Sequence, residues 1–253
     1  MPLTMSQTER LRFAARYSTR HLLISTAVAL LAAMLVFLLW YPAPTARLLN
    51  VGNIYLLMLA VDVVCGPVLT LVLASPAKPR RELIQDLCIV ALLQLVALAY
   101  GLYTLEKGRP VAYVFEQDRL VLVTKNELYT AECTPQRTPG TSLMGIEWHM
   151  AEVDNSKTTL QSLDLSLQGI SPAMRPMQWK NWDWHDPKLQ ARLRPLSALS
   201  KEKLGDISHW SSGKYSTRSD ILYLPLVSSR KLDWIALFDD KGNWLDALPV
   251  DGF

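Results

Sequence analysis

The stretch "LMLAVDVVCGPVLTLVL", residues 57–73, decides how the chain is read. It is a long apolar run with a carboxylate, Asp62, near its middle and a Gly-Pro pair at 66–67. Crossing a bilayer takes about 20 mostly apolar helical residues. Ile54 to Ala74, which contains this stretch, meets that length. So do two neighbours, "HLLISTAVALLAAMLVFLLW" from His21 and "LIQDLCIVALLQLVALAYGLYTL" from Leu83 to Leu105. Proline-bearing loops separate them. The chain of 253 residues therefore divides into a segment 1–20, a three-helix membrane domain 21–105 (spans about 21–41, 54–74 and 83–105), and a domain 106–253.

The first span is longer than the apolar core of a signal peptide and runs into "WYPAP", so it reads as an uncleaved anchor. Arg10, Arg12, Arg16 and Arg20 precede it, and Lys78, Arg80 and Arg81 lie between the second and third spans. The first loop carries only Arg47. The positive-inside rule then places the N-terminus and second loop in the cytoplasm and everything after about residue 106 outside it. In a Gram-negative cell that means an inner-membrane, multi-pass protein with a periplasmic domain. Trp40, Tyr41, Tyr55, Tyr100 and Tyr103 all fall at the outer ends of the spans, the interface that amphipathic rings favour. A net charge of +3, gathered at two short places, reads as a topology signal and excludes a nucleic-acid partner.

A carboxylate at the depth of Asp62 faces protein or water rather than lipid. Gln94 in the third span lies at similar depth, and its amide is positioned to donate to the Asp62 carboxyl. Gly66, one turn on, admits a close helix. Pro67 removes the hydrogen bond back to the Val63 carbonyl and bends the helix. Asp62, Gly66, Pro67 and Gln94 thus make a kinked polar notch. Three occupants fit it: the chain's own helices, a partner's transmembrane helix, or a proton or ion path.

Past residue 106, "GRPVAYVFEQDRLVLVTKNEL" reads as two strands around Gln117-Asp118, and "YLPLV" and "DWIALFDDKGNWLDALPV" as strands with a Gly-containing hairpin turn. "KTTLQSLDLSLQG" and "DPKLQARLRPLSALSKEKLGD" carry helical spacing. The expected fold is a mixed α+β domain with a small antiparallel sheet. Cys133 is its one cysteine, so it closes no disulfide on itself; "TPQRTPG" after it reads as a loop. His149, His185 and His209 stand apart, with no metal-ligand spacing and no nucleophile motif, so no catalytic residue, metal or cofactor is expected. Trp179, Trp182 and Trp184 in "MQWKNWDWH" form the richest cluster, suited either to core packing or to a binding patch.

The chain resembles the type IV pilin accessory proteins of the TfpX/TfpZ family. The resemblance rests on "FLLWYPAP", "LLMLAVDVVCGPVLTLVL", "DLCIVALLQLVALAYGLYTLEKGRPVAYVFEQDRLVLV" and "YLPLVSSRKLDWIALFDDKGNWLDALP". It is nearly continuous over the membrane part and patchy from about 130 to 220. It implies a non-enzymatic, chaperone-like inner-membrane factor in pilus assembly (fimbrial biogenesis), with the major type IV pilin and the lipid bilayer as partners. The alternative class is a membrane-anchored periplasmic sensor, or a small transporter or enzyme built around the intramembrane Asp62.

Overall fold

The computed structural model describes residues 7–131, 133, 145–152, 159–211, 213–215 and 220–253. Residues 134–140, expected as a loop, lie outside that set. The chain forms two compact units. One comprises Met1–Leu38 with Val51–Glu106, the other Leu39–Asn50 with Lys107–Phe253.

The first unit holds three helices long and apolar enough to cross a membrane, which makes this a membrane protein. Helix α1, Gln7–Met34, continues as a π-helical turn over Leu35–Trp40. It therefore begins well before the apolar run at residue 21. At about 1.5 Å per residue its 34 residues reach about 51 Å, well beyond a hydrocarbon core of about 30 Å. Its extension, carrying the arginines, packs Phe13, Ala14 and Tyr17 against Ala74, Leu83 and Leu87. The second span is broken into α3 (Val51–Ala60), a π-helical turn (Val61–Cys65) and α4 (Gly66–Leu73). The third is α5, Arg80–Lys107. Lys78 of the preceding loop pairs with Asp86 of α5 at 2.6 Å.

Helix α1 buries a seam of small residues: Ala14, Ser25, Ala29 and Ala32, with Ser18 and His21 half-buried along it. They recur every three or four residues, so they share one face, and their size lets backbones approach closely. The face of the second span opposite it buries Tyr55, Asp62, Gly66, Pro67 and Thr70. The Tyr55 hydroxyl donates to the Ala29 carbonyl, so this tyrosine packs inside the unit instead of standing in an interfacial belt. Tyr100 and Tyr103 stay exposed.

The second unit opens with a short helix, α2 (Thr45–Leu48), and is built on an eight-stranded sheet. Its strands are β1 (Pro110–Glu116), β2 (Arg119–Thr124), β3 (Glu147–Ala151), β4 (Trp179–Asn181), β5 (Arg194–Pro195), β6 (Leu222–Val227), β7 (Trp234–Phe238) and β8 (Trp244–Leu248). The order is β4-β3-β1-β2-β6-β7-β8, with β5 on β6. The expected hairpins β1–β2 and β7–β8 are present. The sheet is larger than expected and mixed: β3 lies parallel to β1, and β6 parallel to β2. Parallel neighbours need long crossovers, and no local turn signal announces them.

The remaining helices are α6 (Thr159–Leu167), α7 (Pro187–Gln190) and α8 (Lys201–Trp210). The helical spacing of 186–206 is thus realised as α-helix only at its two ends, with a single 3-10 turn at Leu196–Ala198 between them. Pro195, in β5, offers no amide for a helix ladder and holds its neighbour extended.

Both faces of the sheet are covered, which is why "VAYVF", "YLPLV" and "WIALF" read as continuous apolar runs. On the convex face, Ile207 of α8 meets Tyr223, Ile235, Leu237 and Leu248, while Ala173 covers Ala112, Val114 and Val123. Buried Arg175 ties α6 down, donating to the Ser162 hydroxyl at 3.1 Å and the Ile170 carbonyl at 3.0 Å. The other face is concave. The rings of Tyr113 in β1 and Trp244 in β8 lie 5.0 Å apart. Three strands separate them, which in a flat sheet would hold them about 19 Å apart. The sheet is therefore curled into an open half-barrel, closed on itself by aromatic side chains.

Gly242 makes the β7–β8 turn at φ +83°, and a Cβ there would stand 2.3 Å from the Trp184 ring. Gly242→Ala is expected to cost about 1–3 kcal/mol through the left-handed backbone and the clash together. Urea unfolding of the detergent-solubilised chain, followed by tryptophan fluorescence, measures this. A loss below about 0.5 kcal/mol, the range of an ordinary surface change, would contradict the packing described.

Candidate functional site

The second span owes its shape to residues 61–67. In a regular helix the Asp62 carbonyl accepts the N–H of residue 66. The π-helical turn shifts the ladder by one residue, so the donor would be residue 67, and Pro67 has no N–H. The Asp62 carbonyl is left orphaned midway along Val51–Leu73. Lipid offers it no donor. The Gln94 side-chain amide fills the gap, donating to that carbonyl at 2.6 Å. This differs from the expected bond to the Asp62 carboxyl. The π turn moves the orphan from Val63 to Asp62, and a main-chain acceptor without a donor outcompetes the side chain.

Gly66 follows from the same contact. A Cβ at Gly66 would lie 2.2 Å from Gln94 Nε2, so the amide occupies the space that glycine leaves. Asp62, Gly66, Pro67 and Gln94 do meet, and the Gly66 face is filled from within the chain.

Sequence reasoning missed the contribution of α1. Ser18 donates to the Pro67 carbonyl at 2.8 Å, and the His21 Nδ1 lies 2.6 Å from the Thr70 hydroxyl. The signal was the seam itself: Ala14, Ser18, His21, Ser25 and Ala29 at helical spacing inside an otherwise bulky span. These bonds lock α1 onto α4. Beside them a cavity of about 190 Å³ opens between the helices, lined by His21, Ser25, Asp62 and Gln94 among Ile24, Val28, Leu95 and Leu98. Asp62 is only 8% exposed. Its Oδ1 and the Gln94 Oε1 are both buried without a hydrogen-bond partner.

In the second unit the structure separates the three tryptophans. The Trp179 ring stacks on His149 at 4.7 Å and its Nε1 donates to the Ala173 carbonyl at 2.9 Å, a packing role on the convex side. Trp182 and Trp184 pack at 6.3 Å and 5.3 Å against Phe238. There they join Tyr113, Trp148 and Trp244 at the concave face. Burial, with the Asp246 carboxylate second, raises the Tyr113 hydroxyl above its ordinary pKa. Asp186, which adjoins His185, caps α7 through the Lys188 amide. The hydrogen bond from Lys180 holds its carboxyl below the usual range.

The family described as "Fimbrial assembly protein FimB" matches residues 9–49. Two proteins of Dichelobacter nodosus are similar to this chain over nearly its whole length. The fimbrial assembly protein of serogroup I is 30% identical over 97% of this chain and 98% of its own. That of serogroup E1 is 31% identical over the same shares. The chain belongs to the fimbrial assembly protein family. A third relative, from serogroups C1 and C2, is 39% identical over 49% of this chain and 95% of its own. No solved structure matches the chain.

For this family member, Gln94→Leu is expected to destabilise the membrane unit by about 0.6–1.7 kcal/mol, the range of interhelical hydrogen bonds in membranes. Gly66→Ala evicts the same amide, so the double variant loses less than the sum of the singles. Unfolding in mixed micelles reads the cycle. Strictly additive losses would show that the glycine and the amide act independently.

Proposed function

We propose that the protein is a non-enzymatic accessory factor of the bacterial inner membrane that supports the stability or assembly of a cognate type IV pilin. The observation that carries this reading is the likeness, over 97% of the chain, to proteins named for fimbrial assembly. That likeness takes in the membrane spans and the sheet domain together, so it speaks for a shared membrane task rather than a shared soluble module. In this reading the N-terminus and the Lys78–Arg81 loop are cytoplasmic and residues 107–253 periplasmic. The arginines of α1 support that orientation. The grouping of Leu39–Asn50 with the sheet domain in one compact unit supports two crossings between them, since both must then lie on one side of the membrane.

The intramembrane notch of Asp62, Gly66, Pro67 and Gln94, with its adjoining cavity, is the proposed contact for the pilin's apolar segment. Trp182 and Trp184, at the aromatic concave face, are the proposed contact for its periplasmic part. Trp179 is spent on packing.

A clean deletion is expected to abolish or sharply reduce surface pili, seen by electron microscopy, and to lower pilin on immunoblots, with both restored by the gene in trans. A cytoplasm-active reporter fused after Phe253 is expected to be silent. Normal pili and pilin in the deletion strain would overturn the function, and a bright reporter the orientation.

A further inference from the structure

We infer that α1 carries a binding site for the phosphate headgroup of an anionic phospholipid, built from Arg12, Arg16 and Arg20. This goes beyond the assembly reading and does not depend on it. The first support is depth. Ala14 packs with Ala74 and Leu83, Ser18 donates to the Pro67 carbonyl at 2.8 Å, and the His21 ring meets the Thr70 hydroxyl at 2.6 Å. Residues 14–21 of α1 therefore run beside 67–74, the last two turns of the second span and the residue after it. The 23 residues of that span reach about 35 Å, close to the thickness of a hydrocarbon core. Arg16 and Arg20 precede the apolar run of their own helix, yet they stand level with apolar helix next to them, at the margin of the hydrocarbon.

The second support is direction. Arg12, Arg16 and Arg20 recur every four residues and so share one face of α1. It lies opposite the buried seam of Ala14, Ser25, Ala29 and Ala32, and all three arginines are exposed. Leu23 and Leu30 continue the same face, 66% and 61% exposed. The third support is charge. Among the described residues none of the three arginines forms an ion pair, whereas Lys78 of the nearby loop is paired with Asp86. Glu9 is the one carboxylate of α1, at its far end. Water solvates a guanidinium without neutralising it, and an acyl chain offers it nothing. A headgroup phosphate supplies both the charge and the oxygens that a guanidinium meets in paired hydrogen bonds. The acyl chains of the same lipid then cover Leu23 and Leu30. A net anionic lipid fits better than a zwitterionic one, whose own cation competes for the phosphate.

The experiment is native mass spectrometry of the full-length protein released from neutral detergent, titrated with phosphatidylglycerol or with phosphatidylcholine of the same chains. The expected result is tighter retention of phosphatidylglycerol, by about tenfold or more. Arg16→Gln with Arg20→Gln is expected to weaken it about ten- to thirtyfold, at about fivefold per arginine near a bilayer surface. Arg80→Gln with Arg81→Gln removes the same charge outside the ladder and is expected to change it less than threefold. Arg16→Lys with Arg20→Lys keeps the charge but loses the paired geometry; an intermediate loss is expected, and this variant carries the test if the glutamine pair fails to insert. Inorganic phosphate at millimolar concentration is expected to leave the lipid bound. Displacement by it would overturn the lipid and assign the site to a free phosphate. Equal retention of both lipids would overturn the lipid and leave the arginines to an acidic protein segment. Retention unchanged in both ladder variants, or lowered equally by the Arg80 and Arg81 pair, would overturn the ladder as the site.

Discussion

One main-chain carbonyl in the middle of a membrane helix sets the rest of the first unit. A proline in a helix ordinarily orphans the carbonyl four residues back, but the π-helical turn moves that deficit to Asp62. In hydrocarbon an orphan of this kind needs a fixed donor, and Gln94 supplies it across the α4–α5 hairpin. The amide then needs room, so residue 66 must be glycine. The segment after the π-helical turn also presents Pro67 and Thr70 to Ser18 and His21, which sets where α1 packs. With Gln94 committed to the backbone, the buried Asp62 Oδ1 is left without a hydrogen-bond partner.

The spans, the depth match between Asp62 and Gln94, and the two hairpins were legible because they depend on local signals: length, apolarity, charge bias and turn residues. What stayed hidden depends on non-local choices. Whether Gln94 reaches the carboxyl or the carbonyl turns on a one-residue shift of helix register, which composition does not encode. The parallel placement of β3 beside β1 and β6 beside β2 joins segments far apart in sequence, so a sheet expected to be small and antiparallel is eight-stranded and mixed. Trp148 sits in β3 and is the centre of the aromatic cluster, yet nothing around it marks it as different from Trp179, which packs on the opposite face.

The second unit solves a separate problem. It lacks a disulfide of its own, since Cys133 is its one cysteine, and relies on burial of both sheet faces. The convex face takes helix α8 at one end and Ala173 at the other. The concave face takes rings, whose contacts between about 5.0 and 6.0 Å tie Tyr113 of β1 and Trp148 of β3 to Phe238 of β7 and Trp244 of β8, strands with which they share no hydrogen bonds. Trp148, Trp182, Trp184 and Trp244 remain half-buried there, so the same rings that close the half-barrel are also available at its mouth.

The bond between Gln94 and the Asp62 backbone is open to direct observation by solid-state NMR of the protein in lipid bilayers. Labelling the Gln94 side-chain amide with ¹⁵N and Asp62 with ¹³C allows through-space transfer between them to be resolved by carbon type. The expected result is transfer from Gln94 Nε2 to the Asp62 main-chain carbonyl carbon, stronger than to Cγ. Transfer dominated by the carboxyl Cγ, together with a hydrogen bond from the Gly66 amide to the Asp62 carbonyl, would mean a regular helix with a side-chain pair and would contradict the account.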